Sequence, residues 1–404
     1  MSYLSNGRLL LFLILIVIFT QRVWVNGYFP LSFLIFYIIF ILLVLKGKMI
    51  INKNRFLIFI FLILSIIFSS GYNIFFSTRY TSLLSILYFF LIYITFIFSS
   101  PIKISLDDRV KVFNNICILL LLSAFGGILQ FLLQYINIQF DPLSNLPAVL
   151  SPKFYNIFPF TAYMSAWHKS NGIIFLEPSF FSQFMAVALI LEILFVKKYW
   201  RIPFYIFGII TSYSGSGFIS LIIFALLIGI RKIILDKSIK NAIILLMIMF
   251  LGIIVLTKTQ YGEYIINRLP EVINFSQADS SGYIRFFAPI HAILVLLNNA
   301  DTFLFGIGSG LDNFKYFEEE IKYPINPYCI AQIFIYFGII PTFFYIIFIY
   351  KTFIRKFILS DENILIISVL FMYLFASGAL LTPNIVFFIL LMNYFCNTDT
   401  HDVR

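Results

Sequence analysis

The chain has 404 residues, of which 61% are hydrophobic, 20% aromatic and only 11% charged, with a net charge of +10. This composition excludes a soluble globular domain and requires lipid around most of the chain. The basic residues are scattered between long apolar runs and form no continuous stripe, which excludes a nucleic-acid partner.

Apolar runs long enough to cross a bilayer core of about 30 Å follow one another at 9–25, 28–45, 56–74, 82–99, 112–136, 172–196, 202–214, 216–230, 241–257, 327–350, 363–381 and 384–396. The expectation is an all-α polytopic membrane protein, one integral membrane domain over 1–404 with about twelve transmembrane helices. The first run could pass for a signal peptide, but no small-residue cleavage site follows it and further spans come at once, so it reads as a retained helix.

Lys and Arg flanking membrane helices stay on the cytoplasmic side. Alternating the spans from a cytoplasmic N-terminus makes every short inner loop basic: Lys46, Lys48, Lys53 and Arg55; Lys103, Arg109 and Lys111; Lys197, Lys198 and Arg201; Arg231, Lys232, Lys237 and Lys240; Lys351, Arg355 and Lys356. Both termini are then cytoplasmic. Left outside are Arg22, Arg79, Lys153, Lys169, Lys258, Arg268, Arg285, Lys315 and Lys322.

The runs 202–214 and 216–230 are short, and the small polar stretch from Ser212 to Gly217 suits a hairpin turning near or below the outer surface. Such a turn needs protein or water around its backbone and is expected to line a cavity. Two outer loops are long, 137–171 and 258–326. The second holds an amphipathic or re-entrant helix at 282–299, then a polar turn from Asn298 to Asp301 and a loop at 305–314. Long loops on a rigid scaffold are where function concentrates.

Glu177 stands at the start of a span. A charge there needs a partner, a wet cavity or a proton, unless it merely favours the helix N-terminal dipole. Pro178 suits the first helical turn, where its missing N–H is no loss. Arg285 enters the 282–299 helix beside Phe286 and Phe287, which would hold its guanidinium at the membrane surface, where phosphate oxygens can be bound bidentately. The plainer reading is an arginine anchoring an interfacial helix. Lys169 is a second outer cation near Glu177, and Arg268 and His168 are further candidates for substrate binding. Gly306, Gly308 and Gly310 have a spacing that permits close backbone approach to an anion, although the run lacks the context of a dinucleotide fingerprint.

Among the remaining polar residues, His291 reads as structural, Glu318 to Glu320 as a solvated surface, and Glu192 as facing the inner headgroups beside Lys197 and Lys198. Cys117, Cys329 and Cys396 are far apart and read as packing residues. No Ser-His-Asp arrangement, Walker loop or zinc-spaced cluster appears, and no cofactor or metal is expected.

Five stretches, KSNGIIFLEPSFFSQF, SYSGSGFISLIIFALL, GYIRFFAPIHAIL, LFGIGSGLDNF and NPYCIAQIFIYFGIIPTFFYI, occur in this order over 165–350. In order and topology they resemble the O-antigen polymerase (Wzy-type) and O-antigen ligase superfamily of bacterial envelope glycosyltransferases. The resemblance implies a GT-C-like, metal-independent inner-membrane enzyme whose site faces the periplasm. Its partners would be undecaprenyl-diphosphate-linked oligosaccharides as donor and acceptor, membrane lipid and a chain-length regulator. Family members generally carry an arginine where Lys169 stands, and an arginine in the large outer loop, where Arg285 lies. Ligases usually carry a histidine ahead of the following span. The matching place reads Ile325-Asn326-Pro327-Tyr328, which favours polymerase over ligase. In this reading Glu177 accepts the proton of the attacking sugar hydroxyl or orients a neighbouring cation, and Arg285, helped by Lys169, steadies the leaving diphosphate. A lipid-linked oligosaccharide flippase would share the span count, but with short outer loops and charges facing a central cavity from many spans.

Overall fold

The structure is a computed structural model. It describes residues 2–25, 29–77, 79–100, 105–144, 146–147, 149–152, 168–235, 283–310, 313, 317, 325–354, 359–376 and 382–395. The expected span at 241–257, Arg268, the Glu318 to Glu320 run and Cys396 lie outside these residues.

The first part of the chain forms helices α1 (Ser2–Phe19), α2 (Leu31–Leu45), α3 (Lys53–Phe75), α4 (Leu83–Ile94), α5 (Leu106–Leu133), α6 (Pro178–Leu191), α7 (Ile202–Thr211) and α8 (Ser216–Ile234). A π turn, Tyr283–Phe287, then leads into α9 (Ala288–Leu297), followed by α10 (Ala300–Phe305), α11 (Cys329–Phe337), α12 (Ile339–Phe353), α13 (Asp361–Ala376) and α14 (Pro383–Phe395). Two-residue antiparallel pairings, Trp24–Val25 with Phe29–Pro30 and Ile50–Ile51 with Phe98–Ser99, tie loops together at the helix ends.

Helix starts follow the sequence chemistry. The side chains of Asn52, Ser82 and Ser105 each accept a backbone N–H three residues on, and α6 begins with Pro178, which has no N–H to satisfy. Among the described residues, four helical stretches are long and apolar enough to cross a membrane: Lys53–Phe75, Leu106–Ile136, Pro178–Val196 and Ser216–Ile234. Shorter apolar helices of 10–17 residues stand beside them. The chain is a helical membrane protein.

The Pro178–Val196 stretch is 72% buried against 28–44% for the other three, so α6 is the central helix. It packs against α5, α7, α8 and α13.

Charge sorts the two ends of the bundle. At one end Arg109 on α5 pairs with Glu362, and Arg231 on α8 pairs with Asp361, so two acids in the first turn of α13 hold two neighbouring helices. There too Glu192 is fully buried, accepting from Arg201 at 3.1 Å and from the Lys198 N–H at 2.9 Å. This corrects the expectation that Glu192 faces headgroups. Its partner Arg201 is only nine residues along, but the turn between them is what brings the guanidinium back.

The apolar run 327–350 is not one crossing. The Cys329 Sγ lies 3.2 Å from the Tyr345 hydroxyl, whereas sixteen residues of continuous helix would separate them by roughly 24 Å. The chain reverses at Gly338, and α11 and α12 form a helical hairpin whose turn lies against the end of α10. Gly338 sits at φ +81°, and a Cβ there would lie 2.2 Å from the Leu304 carbonyl oxygen. Gly338→Ala is therefore expected to lower stability by about 1–3 kcal/mol from overpacking alone. Gly71→Ala, where α3 has open space, is expected to be neutral or slightly stabilising. Thermal unfolding of the detergent-solubilised protein compares the two, and an equal effect would remove the hairpin constraint.

Candidate functional site

The end opposite the Arg109–Glu362 pair gathers the start of α6, the end of α5, the end of α1 and the turn between α7 and α8. Glu177 is the residue before α6, in extended conformation, and its carbonyl accepts from Phe181 N–H. Its carboxylate accepts a hydrogen bond from Ser179 Oγ at 3.1 Å. Ser216 Oγ donates to the Ser179 carbonyl at 3.0 Å and lies 3.0 Å from Ser214 Oγ, while Ser182 Oγ donates to the Ser214 carbonyl and accepts from Gly217 N–H. The Ser212 to Gly217 turn is thus seated on the first turn of α6, against protein as its polarity demands.

The segment before Glu177 is held with equal care. Gln130 on α5 donates to Asn171 Oδ1 and accepts from Asn171 N–H, and Asn171 Nδ2 donates to the Phe175 carbonyl. Gly172 and Ile173 both have positive φ, +63° and +71°. For a β-branched residue this is a strained conformation, of order 1–3 kcal/mol, which persists only where the surroundings over-determine it. They do: the Ile173 carbonyl accepts from Arg22 Nη1 at 2.8 Å, and that guanidinium also grips Asp141 bidentately at 2.6 and 2.8 Å. Both ion-pair side chains are 3% exposed.

Sequence reading placed Arg22 among the outer basic residues without a role. The available signal was its position: an arginine just after an apolar helix, in a short loop, needs an acid, and Asp141 is the acid at the start of the long loop that follows α5.

Lys169 is half-buried, and the next residue, Ser170, donates its N–H to the Thr211 carbonyl at 3.0 Å, which ties the backbone beside the lysine to the end of α7. His168 is clasped to the end of α5: its N–H and carbonyl pair with the Gln134 side chain, and its Nε2 lies 2.9 Å from Gln139 Nε2. His168 thereby ties the loop to the scaffold.

Gly306, Gly308 and Gly310 lie elsewhere. The N–H groups of Gly306, Ile307 and Gly308 donate to the carbonyls of Thr302, Ile335 and Tyr336, and Arg79 and Asn313 bind the carbonyls of Gly306 and Ile307. A Cβ at Gly306 would lie 2.5 Å from the Tyr336 backbone, and one at Gly308 2.5 Å from the Tyr80 carbonyl. The close approach these glycines permit is to the α11–α12 turn and the α3–α4 loop, and the N–H groups of Gly306 and Gly308 already have protein acceptors.

Arg285 lies in the Tyr283–Phe287 π turn and is half-buried. The Ile284 carbonyl accepts from Asn326 N–H at 3.1 Å. Asn326 is three residues before Cys329, and Cys329 meets Tyr345 of α12 roughly 10 Å of helix from the Gly338 turn, so the Arg285 backbone lies toward the end of the hairpin away from that turn. Among the described residues Arg285 has no hydrogen-bond or ion-pair partner, and nothing of this kind joins it to Glu177. No family model, curated protein or solved structure matches the chain. The chemistry must therefore be read from these side chains. A carboxylate that accepts from a serine, a lysine in the loop leading to it, and an arginine with no partner among the described residues, beside non-helical backbone at 325–328, can accept a proton and hold an anion.

Proposed function

We propose that the chain is a Wzy-type polysaccharide polymerase of the bacterial inner membrane, with about twelve spans, a GT-C-like arrangement and cytoplasmic termini. It would transfer a growing glycan from undecaprenyl diphosphate onto the terminal sugar of a second lipid-linked repeat unit at the periplasmic face. The end carrying Glu177 is the periplasmic one in this reading, because the short loops at the other end are the basic ones.

The observation that carries the proposal is Arg285. Non-helical backbone at membrane depth is tolerated only inside protein or beside water, and a guanidinium there without an acid needs an anion from outside the described chain. Asn326, whose N–H binds the Ile284 carbonyl beside it, is exposed at the surface of the chain. A lipid diphosphate matches in charge and geometry. In the reaction the acceptor hydroxyl oxygen bonds to the anomeric carbon and its proton passes to Glu177. The anomeric C–O bond breaks, and its electron pair leaves on the diphosphate, which Arg285 and Lys169 stabilise.

Deleting the gene and resolving the surface polysaccharide beside the lipid-linked pool tests this. Lipopolysaccharide capped with a single repeat is the expected result. Long lipid-linked polymer with uncapped core would make the protein a ligase, and single units trapped on the inner leaflet would make it a flippase. Complementation with Arg285→Ala is expected to leave only single repeats, and with Lys169→Ala a shortened ladder. A full ladder from Arg285→Ala removes the assignment.

A further inference from the structure

Below the Gly338 turn, four helices meet in one buried row of protic groups. Tyr93 on α4 has its hydroxyl oxygen 2.9 Å from that of Tyr345 on α12 and 3.0 Å from that of Tyr373 on α13. Cys329, the first residue of α11, brings its Sγ to 3.2 Å from the Tyr345 hydroxyl. None of the four is more than 2% exposed. Phenylalanine would fill the same ring volume, so packing does not call for the hydroxyls. Buried inside the helix bundle, they have one another as partners, and a member left out would be an unsatisfied polar group in a low-dielectric interior.

The row sits where the hairpin needs an anchor. The start of α11 has no side-chain cap. The 325–328 segment leading into it is non-helical, and the Asn326 N–H binds the Ile284 carbonyl, one residue before Arg285. A continuous set of contacts therefore runs from Tyr373 and Tyr93 through Tyr345 and Cys329 to the π turn.

We infer that Tyr93, Tyr345, Tyr373 and Cys329 are positioning residues, which set the depth of the α11 start and thereby hold the turn that carries Arg285. Its consequence for catalysis rests on the proposed diphosphate role of Arg285; the placement of the turn does not.

The test is a disulfide between Ile284→Cys and Asn326→Cys in a Cys329→Ser background, which keeps a donor at 329 and removes a competing thiol. A disulfide needs Cα atoms within about 4.4–6.8 Å, so the yield of the linked peptide after mild oxidation in membranes reports whether 284 and 326 stay together. High yield is expected in this background. Adding Tyr345→Phe or Tyr93→Phe is expected to lower the yield severalfold, with the amount of membrane-inserted protein unchanged. Without the reporter cysteines, Cys329→Ser is expected to polymerise normally. Tyr345→Phe is expected to lower the maximal rate about tenfold, the worth of one strong hydrogen bond, with half-saturation by the lipid-linked unit little changed. Unaltered cross-linking in both phenylalanine variants, or a Cys329→Ser background that does not cross-link, overturns the inference. Lost cross-linking with normal polymerisation keeps the positioning role and overturns the functional reading of Arg285.

Discussion

Glu177→Gln is expected to lower polymer formation by roughly 10²–10⁴-fold, the usual worth of a positioned general base, and to leave single lipid-linked repeats accumulating. The amide keeps the size of the side chain and an oxygen that can accept from Ser179 Oγ, so the 3.1 Å contact and the seating of the Ser212 to Gly217 turn are retained. Magnitude separates the competing roles. If Glu177 only complemented the N-terminal dipole of α6, its loss would cost about 0.3–1 kcal/mol of stability and leave the rate near normal. If it oriented a cation, Glu177→Asp should fail as badly as Glu177→Gln, whereas a base of shorter reach should retain part of the rate. Initial rates in membranes with defined lipid-linked units decide this, and a rate within tenfold of normal for Glu177→Gln would end the general-base role.

The second large effect is expected at the ion pair behind the strained turn. Arg22→Ala leaves Asp141, 3% exposed, without its bidentate partner. Breaking a buried pair from one side costs about 3–5 kcal/mol, a large fraction of the stability of a typical domain. Loss of folded protein is expected in detergent and reduced amounts in the membrane. Replacing both members, Arg22→Met with Asp141→Leu, removes the uncompensated charge and is expected to restore stability to near or above the parent. It does not restore the hydrogen bond from Arg22 to the Ile173 carbonyl, so the turn at Gly172 and Ile173 loses one of the contacts that keep it at positive φ. The double variant should fold and polymerise slowly. Full activity in it would show that the pair serves stability alone.

Much of the helical architecture was legible in the sequence because membrane helices announce themselves locally. An unbroken apolar stretch can satisfy its backbone in lipid only as helix, and α2 to α8, α13 and α14 fall where the runs lie, with ends shifted by a few residues. Glu177, Pro178 and the Ser212 to Gly217 turn were equally visible, as polar groups set where hydrocarbon begins. Their meeting was not: the contacts of Ser216 with Ser179 and of Ser182 with Ser214 span more than thirty residues of helix and loop.

The same limit explains what was misread. The run 327–350 is apolar throughout, and hydropathy is blind to a reversal of direction, so a hairpin reads as one long span until the contact of Cys329 with Tyr345 shows otherwise. The glycines at 306 and 308 signalled close backbone approach, but not whether an anion or another loop approaches.

Composition and order along the chain determined by themselves that this is a helical membrane protein, and where most of its helices run, because burial of apolar surface and backbone hydrogen bonding are decided within each stretch. Only the tertiary structure decided that Arg22 binds Asp141 and Ile173, that Glu192 is buried against Arg201, and that Arg285 stands toward the end of a hairpin away from its turn. Those outcomes depend on which charge finds which partner across distances in sequence that carry no local signal, and a desolvated charge settles where such a partner or an accessible cavity compensates it.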